Sequence, residues 1–400
     1  MGPDSDAWGT SRHSRLFPGP WLVHADLHNH TTLSDGKGEP ADAFASMRGA
    51  GLDVAAISDH SRWATVAAGL VAMPGNSGID RYGWETARRV ADAADDPGEF
   101  VAMRAFEWSS ALFGHANVWR SARFTDPLRS GLVAMAPFWR WLERHGQDGL
   151  AGFNHAGSAV LRFGRFRHRP AVAERVVSFE IFNKTNEHLL LGTERGRPSA
   201  LVQCLDAGWR VGLLGVTDEH GSDWGHPEGK GRAGLYVHEL SRAGVYEALA
   251  ARRFFASRVK GLRLDAALNG VRMGGKVPFR GGPARFTVDL DRAGWTGRQL
   301  GVQVLRSGPG LPTLAAAVEV RVPGPDEPLV AFEVDLDPAA GSWVVLRVTD
   351  PAAEAGPPAD GEWAGLGRAL AYASPFWLLP SDQTQTAPSA AGLRPPPSAR

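Results

Sequence analysis

Residues 22–36, LVHADLHNHTTLSDG, begin as an apolar run and end as a cluster of side chains able to hold metal. Leu22–Asp26 has the make-up of a buried strand. His28 and His30, two residues apart on its extended end, project to the same side, a geometry that suits two imidazoles on one cation. Asp26 and Asp35 are carboxylates close by, and His24 shares the strand parity. A bare H-x-H pair is common on protein surfaces; its position at a strand end gives it weight.

The pattern recurs along the chain. Val54–Ser58 runs into Asp59-His60, Phe100–Phe106 into Glu107, Leu150–Asn154 into His155, and Val211–Val216 into Thr217-Asp218-Glu219-His220. Ala116–Trp119, Val176–Phe182 and Ala233–Val237 complete eight candidate strands, and helices are expected at Ala41–Ala50, Asp80–Ala94, Pro137–His145 and Ser199–Ala207. Such alternation predicts βα units and a largely parallel sheet. Polar residues immediately after apolar strands lie at the end of a parallel barrel where active sites are built.

From about Leu262 the texture changes to period-two runs: Arg285–Leu290, Gly301–Leu305, Ala317–Val322, Leu329–Val334 and Ser342–Val348. These predict a small antiparallel, sandwich-like β domain. The expected organisation is a flexible segment over 1–20, a βα barrel over 21–261, the β domain over 262–380 and a disordered tail over 381–400.

Composition narrows the chemistry. Lys plus Arg and Asp plus Glu both number 43, so no overall charge excess points to nucleic acid or an anionic membrane. Without a secretory or spanning apolar run, a soluble, cytoplasmic protein is expected, acting on a small molecule. Its oligomeric state is not legible. Cys204 is the only cysteine, which excludes an intrachain disulfide and a thiolate cage, so any metal must be held by histidine and carboxylate. All 13 histidines lie at or before His238, whereas an even spread would leave roughly five beyond it.

His115 follows Glu107 closely and could face the same cavity. Glu107 is the natural carboxylate to bridge two cations. Imidazole with carboxylate suits Zn, Mn or Fe better than Ca or Mg. His13, His145, His168 and His238 read as structural, and Asp59 as a loop cap or ligand-orienting group. Lys184, Arg162 and Arg165 are either anchors for an anionic substrate group or solvated loop charges. Glu180 and Asn183 face a similar choice, with Asn183 the stronger functional candidate. Trp63, Trp108 and Trp224 suit either an aromatic substrate or the core.

In this order, HADLHNHTTLSDG, ISDHS, AFEWSS, GHANVW, FNHAG, FEIFN and GVTDEHGSDWG resemble the polymerase-and-histidinol-phosphatase (PHP) superfamily over roughly residues 22–260. Within it the chain is similar to the branch of carbaryl hydrolase-like metallohydrolases. The resemblance implies a distorted (β/α)7 TIM-like barrel, leaving Ala116–Trp119 peripheral, followed by the small antiparallel β domain. It also implies two or three divalent cations. His28, His30, Glu107 and Asp218 would hold one; Glu107 would bridge to a second held by His115 and His155; Asp35, His60 and His220 would hold a third. Asp35 stands where several family members place histidine, and FNHAG replaces their histidine-proline turn.

The expected activity is a metal-dependent hydrolase in which a metal-bridging hydroxide cleaves a phosphoester, with Glu107, Asp218 and His220 catalytic and Lys184, Asn183, Arg162 and Arg165 binding substrate. The alternatives are hydrolysis of a carbamate, ester or amide, and a non-catalytic, metal-stabilised binding module.

Overall fold

The computed structural model describes residues 4–62, 65–67, 70–72, 78–130, 134–145, 148–157, 161–226, 228–353 and 367–380. The expected disordered tail and Trp63 lie outside them.

Through Ser257 the chain alternates as β1 (Trp21–Asp26), α1 (Pro40–Gly49), β2 (Val54–Ile57), β3 (Thr65–Ala67), β4 (Leu70–Ala72), α2 (Arg81–Ala94), β5 (Val101–Ser110), β6 (Gly114–Trp119), α3 (Pro127–Ser130), α4 (Ala136–His145), β7 (Leu150–Asn154), α5 (Arg162–Arg165), α6 (Pro170–Ala173), β8 (Val176–Asn183), β9 (Asn186–Glu187), α7 (Ala200–Asp206), β10 (Gly212–Val216), β11 (Arg232–Val237), α8 (Arg242–Ala250) and β12 (Phe254–Ser257). Pro40 at the first turn of α1 and side-chain caps from Asp80, Ser199 and Ser241 start four of these helices. The strands β2, β7, β8 and β10 are buried along their whole length, which is why they read as continuous apolar runs rather than alternating ones.

The sheet is mixed, in the order β10-β8-β7-β6-β5-β2-β1-β11-β12. β1, β2 and β5 are parallel, as are β7, β8 and β10. β6 lies between β5 and β7, antiparallel to both, and β11 is antiparallel to β1. The antiparallel pairs qualify the expected largely parallel sheet, and one expectation is corrected: β6 is an interior strand rather than a peripheral one. Residues 111–113 leave room only for a hairpin between β5 and β6, and a crossover helix would need far more chain. The strands curl into a barrel-like layer. A single bridge, Asn29 to Glu219, joins the extensions of β1 and β10, and no ladder completes the ring among the described residues.

Beyond β12 come β13 (Arg263–Leu268), β14 (Val271–Arg272), β15 (Lys276–Pro278), β16 (Gly282–Asp291), β17 (Gln299–Arg306), β18 (Thr313–Arg321), β19 (Val330–Leu336), β20 (Trp343–Asp350), β21 (Arg368–Ala373) and β22 (Phe376–Leu379). One sheet runs β14-β13-β16-β19; the other, β21-β20-β17-β18, continues the first sheet through the antiparallel pair β12–β21. Leu264, Phe286 and Val288 from one face pack with Val302, Val304 and Leu346 from the other, as in a sandwich. No helix of the described residues is long and apolar enough to cross a membrane.

Residues 4–20, expected to be flexible, are laced down. Arg12 forms a two-pronged ion pair with Asp53, both contacts 2.8 Å, and Asp6 meets His24 Nε2 at 2.9 Å. All four residues are buried, so releasing the segment would strand charge in the interior.

Glu187 ties β9 to the C-terminal sheet. It accepts from Arg347 Nε at 3.1 Å and from the Tyr372 hydroxyl, while Arg347 also donates to Gln303 at 2.8 Å. Burial would raise the Glu187 carboxyl, but Arg347 and Tyr372 hold it below its ordinary value. A depressed carboxyl adds stability above its unfolded pKa and loses it as pH falls through the folded value. Glu187→Gln is therefore expected to cost about 2 kcal/mol near neutrality. The melting-temperature gap to wild type should close as pH drops from 7 toward 3. A gap independent of pH would show that the carboxylate charge contributes nothing.

Candidate metal centre

Side chains just past the ends of β1, β2, β7 and β10 converge with Glu107 from within β5 and His115 from β6 at one end of the barrel-like layer. Glu107 lies at their centre, 1 % exposed. Its carboxylate oxygens lie 3.3 Å from His28 Nε2, 3.6 Å from His30 Nε2, 2.6 Å from His60 Nδ1, 3.2 Å from His115 Nδ1 and 3.4 Å from His155 Nε2. Asp218 Oδ1 stands 3.2 Å from His30 Nε2 and 3.5 Å from His28 Nε2. On the open side, Asp35 lies 3.5 Å from both His60 and His220.

Backbone geometry brings these groups together. The residues that follow β7, β8 and β10 (His155, Lys184 and Asp218) all have positive φ, at 27°, 52° and 48°. Each such left-handed residue without a glycine costs about 1–3 kcal/mol, and together they turn three strand ends sharply inward. Gly36 allows the 31–36 loop to fold back, since a Cβ there would lie 2.6 Å from the His30 backbone. Asp59 ties that loop by accepting from Thr31 N at 2.7 Å, Thr31 Oγ1 at 2.8 Å and Ser34 Oγ at 2.6 Å. With its oxygens so committed, Asp59 orients the loop that carries Asp35. Asp26 similarly accepts from the Thr217 amide and hydroxyl, anchoring the strand end before Asp218.

The electrostatics are those of a strongly coupled, water-poor site. Burial alone would keep Glu107 and Asp218 neutral. The imidazoles reverse that: His115, His60 and His28 hold Glu107, and His28 and His30 hold Asp218, well below the ordinary carboxylate range. Burial disfavours the His28 cation, yet Glu180, Asp218 and Glu107 outweigh it and push the imidazole well up. His60, also buried, is raised to about 10 by Glu107 and Asp35. His30 goes the other way, to about 3, through burial and the neighbouring His60 charge.

These residues fit divalent cations. Three groups place one ligand atom per residue within 4.8 Å of one another: His30, Asp35, His60 and His220; His28, His30 and Asp218; and His60, Glu107 and His115. His30 Nδ1 is buried without a hydrogen-bond partner, which an isolated structural imidazole would not tolerate.

Residues expected to bind substrate are distributed differently. Lys184 Nζ lies 3.5 Å from Asp218 and its side chain is 46 % exposed, so it borders the opening. Asn183 donates to Glu180 at 2.9 Å. Arg162 donates to the carbonyls of Pro198 and Leu191 and to Gln203. It braces loops, correcting its expected role as an anion anchor. Arg165 is exposed in the same turn. Trp108 and Trp224 are buried, the former stacked on Phe138, so both belong to the core.

Glu180, rather than Asn183, makes the direct contacts to the cluster. It is buried, accepts from His28 Nδ1 at 2.7 Å and from the His155 amide at 2.9 Å, and thereby turns His28 Nε2 into the cluster. Two further residues, Asn154 and Ser109, escaped notice: Asn154 donates to Glu107 at 2.7 Å and Ser109 meets His60 Nδ1 at 2.7 Å. Strand parity held a signal for Glu180, since a carboxylate within the apolar run FEIFN has to be paired to be buried.

No family model matches the chain, and no curated protein does. Among solved structures, it is similar to a two-domain protein from Bacteroides vulgatus containing a predicted PHP-like metal-dependent phosphoesterase, at 15 % identity and TM-score 0.47, over 92 % of this chain and 100 % of that one. An amidohydrolase from Chromobacterium violaceum aligns at 13 % identity and TM-score 0.30, over 57 % of this chain and 96 % of its own. Likenesses this distant leave function to be argued from the cluster itself.

A carboxylate that fixes a ligand imidazole is typically worth about 10–100-fold in metal affinity. Glu180→Gln is expected to weaken metal retention by about that factor. A chelator-competition titration measures it, with circular dichroism showing an intact fold. Unchanged retention would mean that His28 needs no such support.

Proposed function

We propose that the chain is a metal-dependent hydrolase acting on phosphoesters at the Glu107 cluster. The observation that carries this is one buried carboxylate within 3.6 Å of five imidazoles, with a second carboxylate, Asp218, beside two of them. So many converging imidazole nitrogens are costly as mere packing. The PHP-like order of motifs supports the same reading.

Each neutral imidazole offers one lone pair to a cation. The resemblance would divide the cluster into His28, His30 and Asp218; His115, His155 and Glu107; and Asp35, His60 and His220, with Glu107 shared by the first two; by proximity alone His60 also groups with Glu107 and His115. The carboxylates separate these sets, although the imidazoles do not: Glu107 and Asp218 are 1 % and 8 % exposed, whereas Asp35 is 33 % exposed. Two tightly held ions and a third, readily exchanged one are expected, of the Zn, Mn or Fe class. Cations bound there would lower the pKa of water toward neutrality and polarise the scissile bond.

The protein's own groups supply positioning and proton handling. His220 Nδ1 lies 2.9 Å from the Asp218 carbonyl, which can only accept; in the neutral ring Nδ1 therefore carries the proton and Nε2, 3.5 Å from Asp35, keeps the lone pair. That lone pair serves a cation or takes a proton from the attacking water. Lys184, at the rim, fits a negatively charged substrate oxygen. Hydrolysis then joins the water oxygen to phosphorus, and the released alkoxide leaves as the alcohol after taking up a proton. The commitment of Arg162 elsewhere favours, as a second reading, an uncharged carbamate, ester or amide.

Elemental analysis with turnover of aryl phosphate, phosphodiester and carboxyl-ester panels tests the proposal. Two equivalents of metal should survive dialysis against chelator, and Glu107→Ala should lose metal and about 10²-fold or more in turnover. Lys184→Ala should raise KM for aryl phosphate by about tenfold while leaving neutral esters unaffected. Retained metal with no turnover on any panel would favour a metal-stabilised binding module.

A further inference from the structure

A second concave site lies at the other end of the barrel-like layer. β6 runs away from the cluster: His115 is near its start, and Trp119, near its end, pairs with Leu150, the first residue of β7. Four residues of extended chain, ~13 Å, separate His115 from Trp119. Past that point Arg123, Arg129, Arg140, Arg144, His145 and Trp141 line a cavity of about 480 Å³. No Asp or Glu lines it.

Few of these charges have a carboxylate partner, although Asp148 borders the adjoining hollow that Arg123, Arg144 and His145 also line. Arg88 and Arg242, on the adjoining face, are matched by Glu85, Asp92 and Asp95. In the cavity, Arg129 reaches Asp126 at 3.5 Å, but among the described residues no carboxylate pairs with Arg123, Arg140 or Arg144. Arg140 and Arg144 stand one helical turn apart on α4, where like charges destabilise the helix. Arg144 and His145 sit in its last turn, which the helix dipole favours, but the dipole cannot neutralise the whole group. In a chain with equal numbers of acidic and basic residues, this is a local concentration of positive charge. Guanidinium forks match phosphate oxygens two at a time. The half-buried Trp141, which packs against Phe106 and Phe138, adds an aromatic wall.

We propose that this cavity binds a small polyphosphate anion of the nucleoside triphosphate kind, as an effector site separate from the hydrolytic cluster. A single phosphate would engage too few of the arginines, whereas a chain of phosphates spans several and relieves their mutual repulsion. Trp141 offers a surface for a base to stack on.

Isothermal titration of the full chain with inorganic tripolyphosphate, ATP and inorganic phosphate tests this, in wild type, Arg140→Ser/Arg144→Ser and Glu107→Gln. Tripolyphosphate and ATP should bind wild type and Glu107→Gln alike, and the double arginine variant should lose about tenfold or more in affinity while keeping its metal content and melting temperature. Tighter binding of ATP than of tripolyphosphate, lost in Trp141→Ala, would place a base on the tryptophan. Binding that survives the arginine changes, or that disappears in Glu107→Gln, would overturn the site, since the anion would then be held at the metals. A short single-stranded oligonucleotide binding far more tightly than tripolyphosphate would also overturn it, in favour of a nucleic-acid surface. The readout is binding, so it stands whether or not the cluster proves hydrolytic.

Discussion

The Glu107 carboxylate is the interaction on which the rest of the site depends. A fully buried carboxylate is costly in isolation, and so is each buried imidazolium; only their mutual attraction makes the group tolerable. Much of the surrounding architecture follows. The β5–β6 hairpin brings His115 back over the strand that carries Glu107, and the His60–Glu107 bridge carries the β2–β5 pairing beyond the ladder proper. Asn154 donates its amide to the same carboxylate from β7. Removing that one charge would leave several imidazoles facing one another across a dry interior.

Around this centre, the neighbouring carboxylates divide into two groups. Glu107, Asp218 and Asp35 present oxygens to imidazoles; Asp59, Asp26 and Glu180 spend theirs chiefly on hydroxyls, amides or the outward nitrogen of His28. Burial raises Asp26 to about 6 and also raises Asp59, against hydrogen bonds that act to lower both. Their role is mechanical: they hold the loops on which the residues of the cluster ride, and left-handed backbone at His155 and Asp218 does the same at single positions.

Strand ends were legible because burial on both faces makes a strand uniformly apolar, so the first polar residue marks where it leaves the core. That reasoning pointed to His28, His30, His155 and Asp218, and it reached Glu107 too early, since β5 stays buried for three residues beyond it. It did not reveal direction: the periodicity of Ala116–Trp119 is the same whether the strand runs up or down, and only the length of the connection before it tells. It also missed Phe254–Ser257 and Arg368–Ala373, the pair that joins the two halves of the large sheet. The first sits in an arginine-rich run that reads as a turn, and the second follows a long Gly- and Ala-rich stretch. Asn154 and Ser109 escaped because each is an ordinary polar residue whose value lies in a neighbour distant in sequence. Arg162 misled for the converse reason: a basic residue after a strand end looks available until the carbonyls that occupy it are seen.

The C-terminal strands contribute no residue to the cluster, yet they bear on it through one short hairpin. Lys184 sits at a left-handed turn between β8 and β9, with Asn183 paired to Asn186 across it. The far arm of that turn is fixed by Glu187, through Arg347 of β20 and Tyr372 of β21, and Arg258 donates to the Thr185 carbonyl at 2.8 Å. A lysine on a free loop would lose much of its side-chain and backbone entropy on meeting a substrate. Held from behind by the second sheet, the Lys184 backbone is already ordered, and only the side chain beyond it has to settle. The continuity of the large sheet through β12 and β21 thus gives the C-terminal half a mechanical part in the site's rim without placing any of its side chains there.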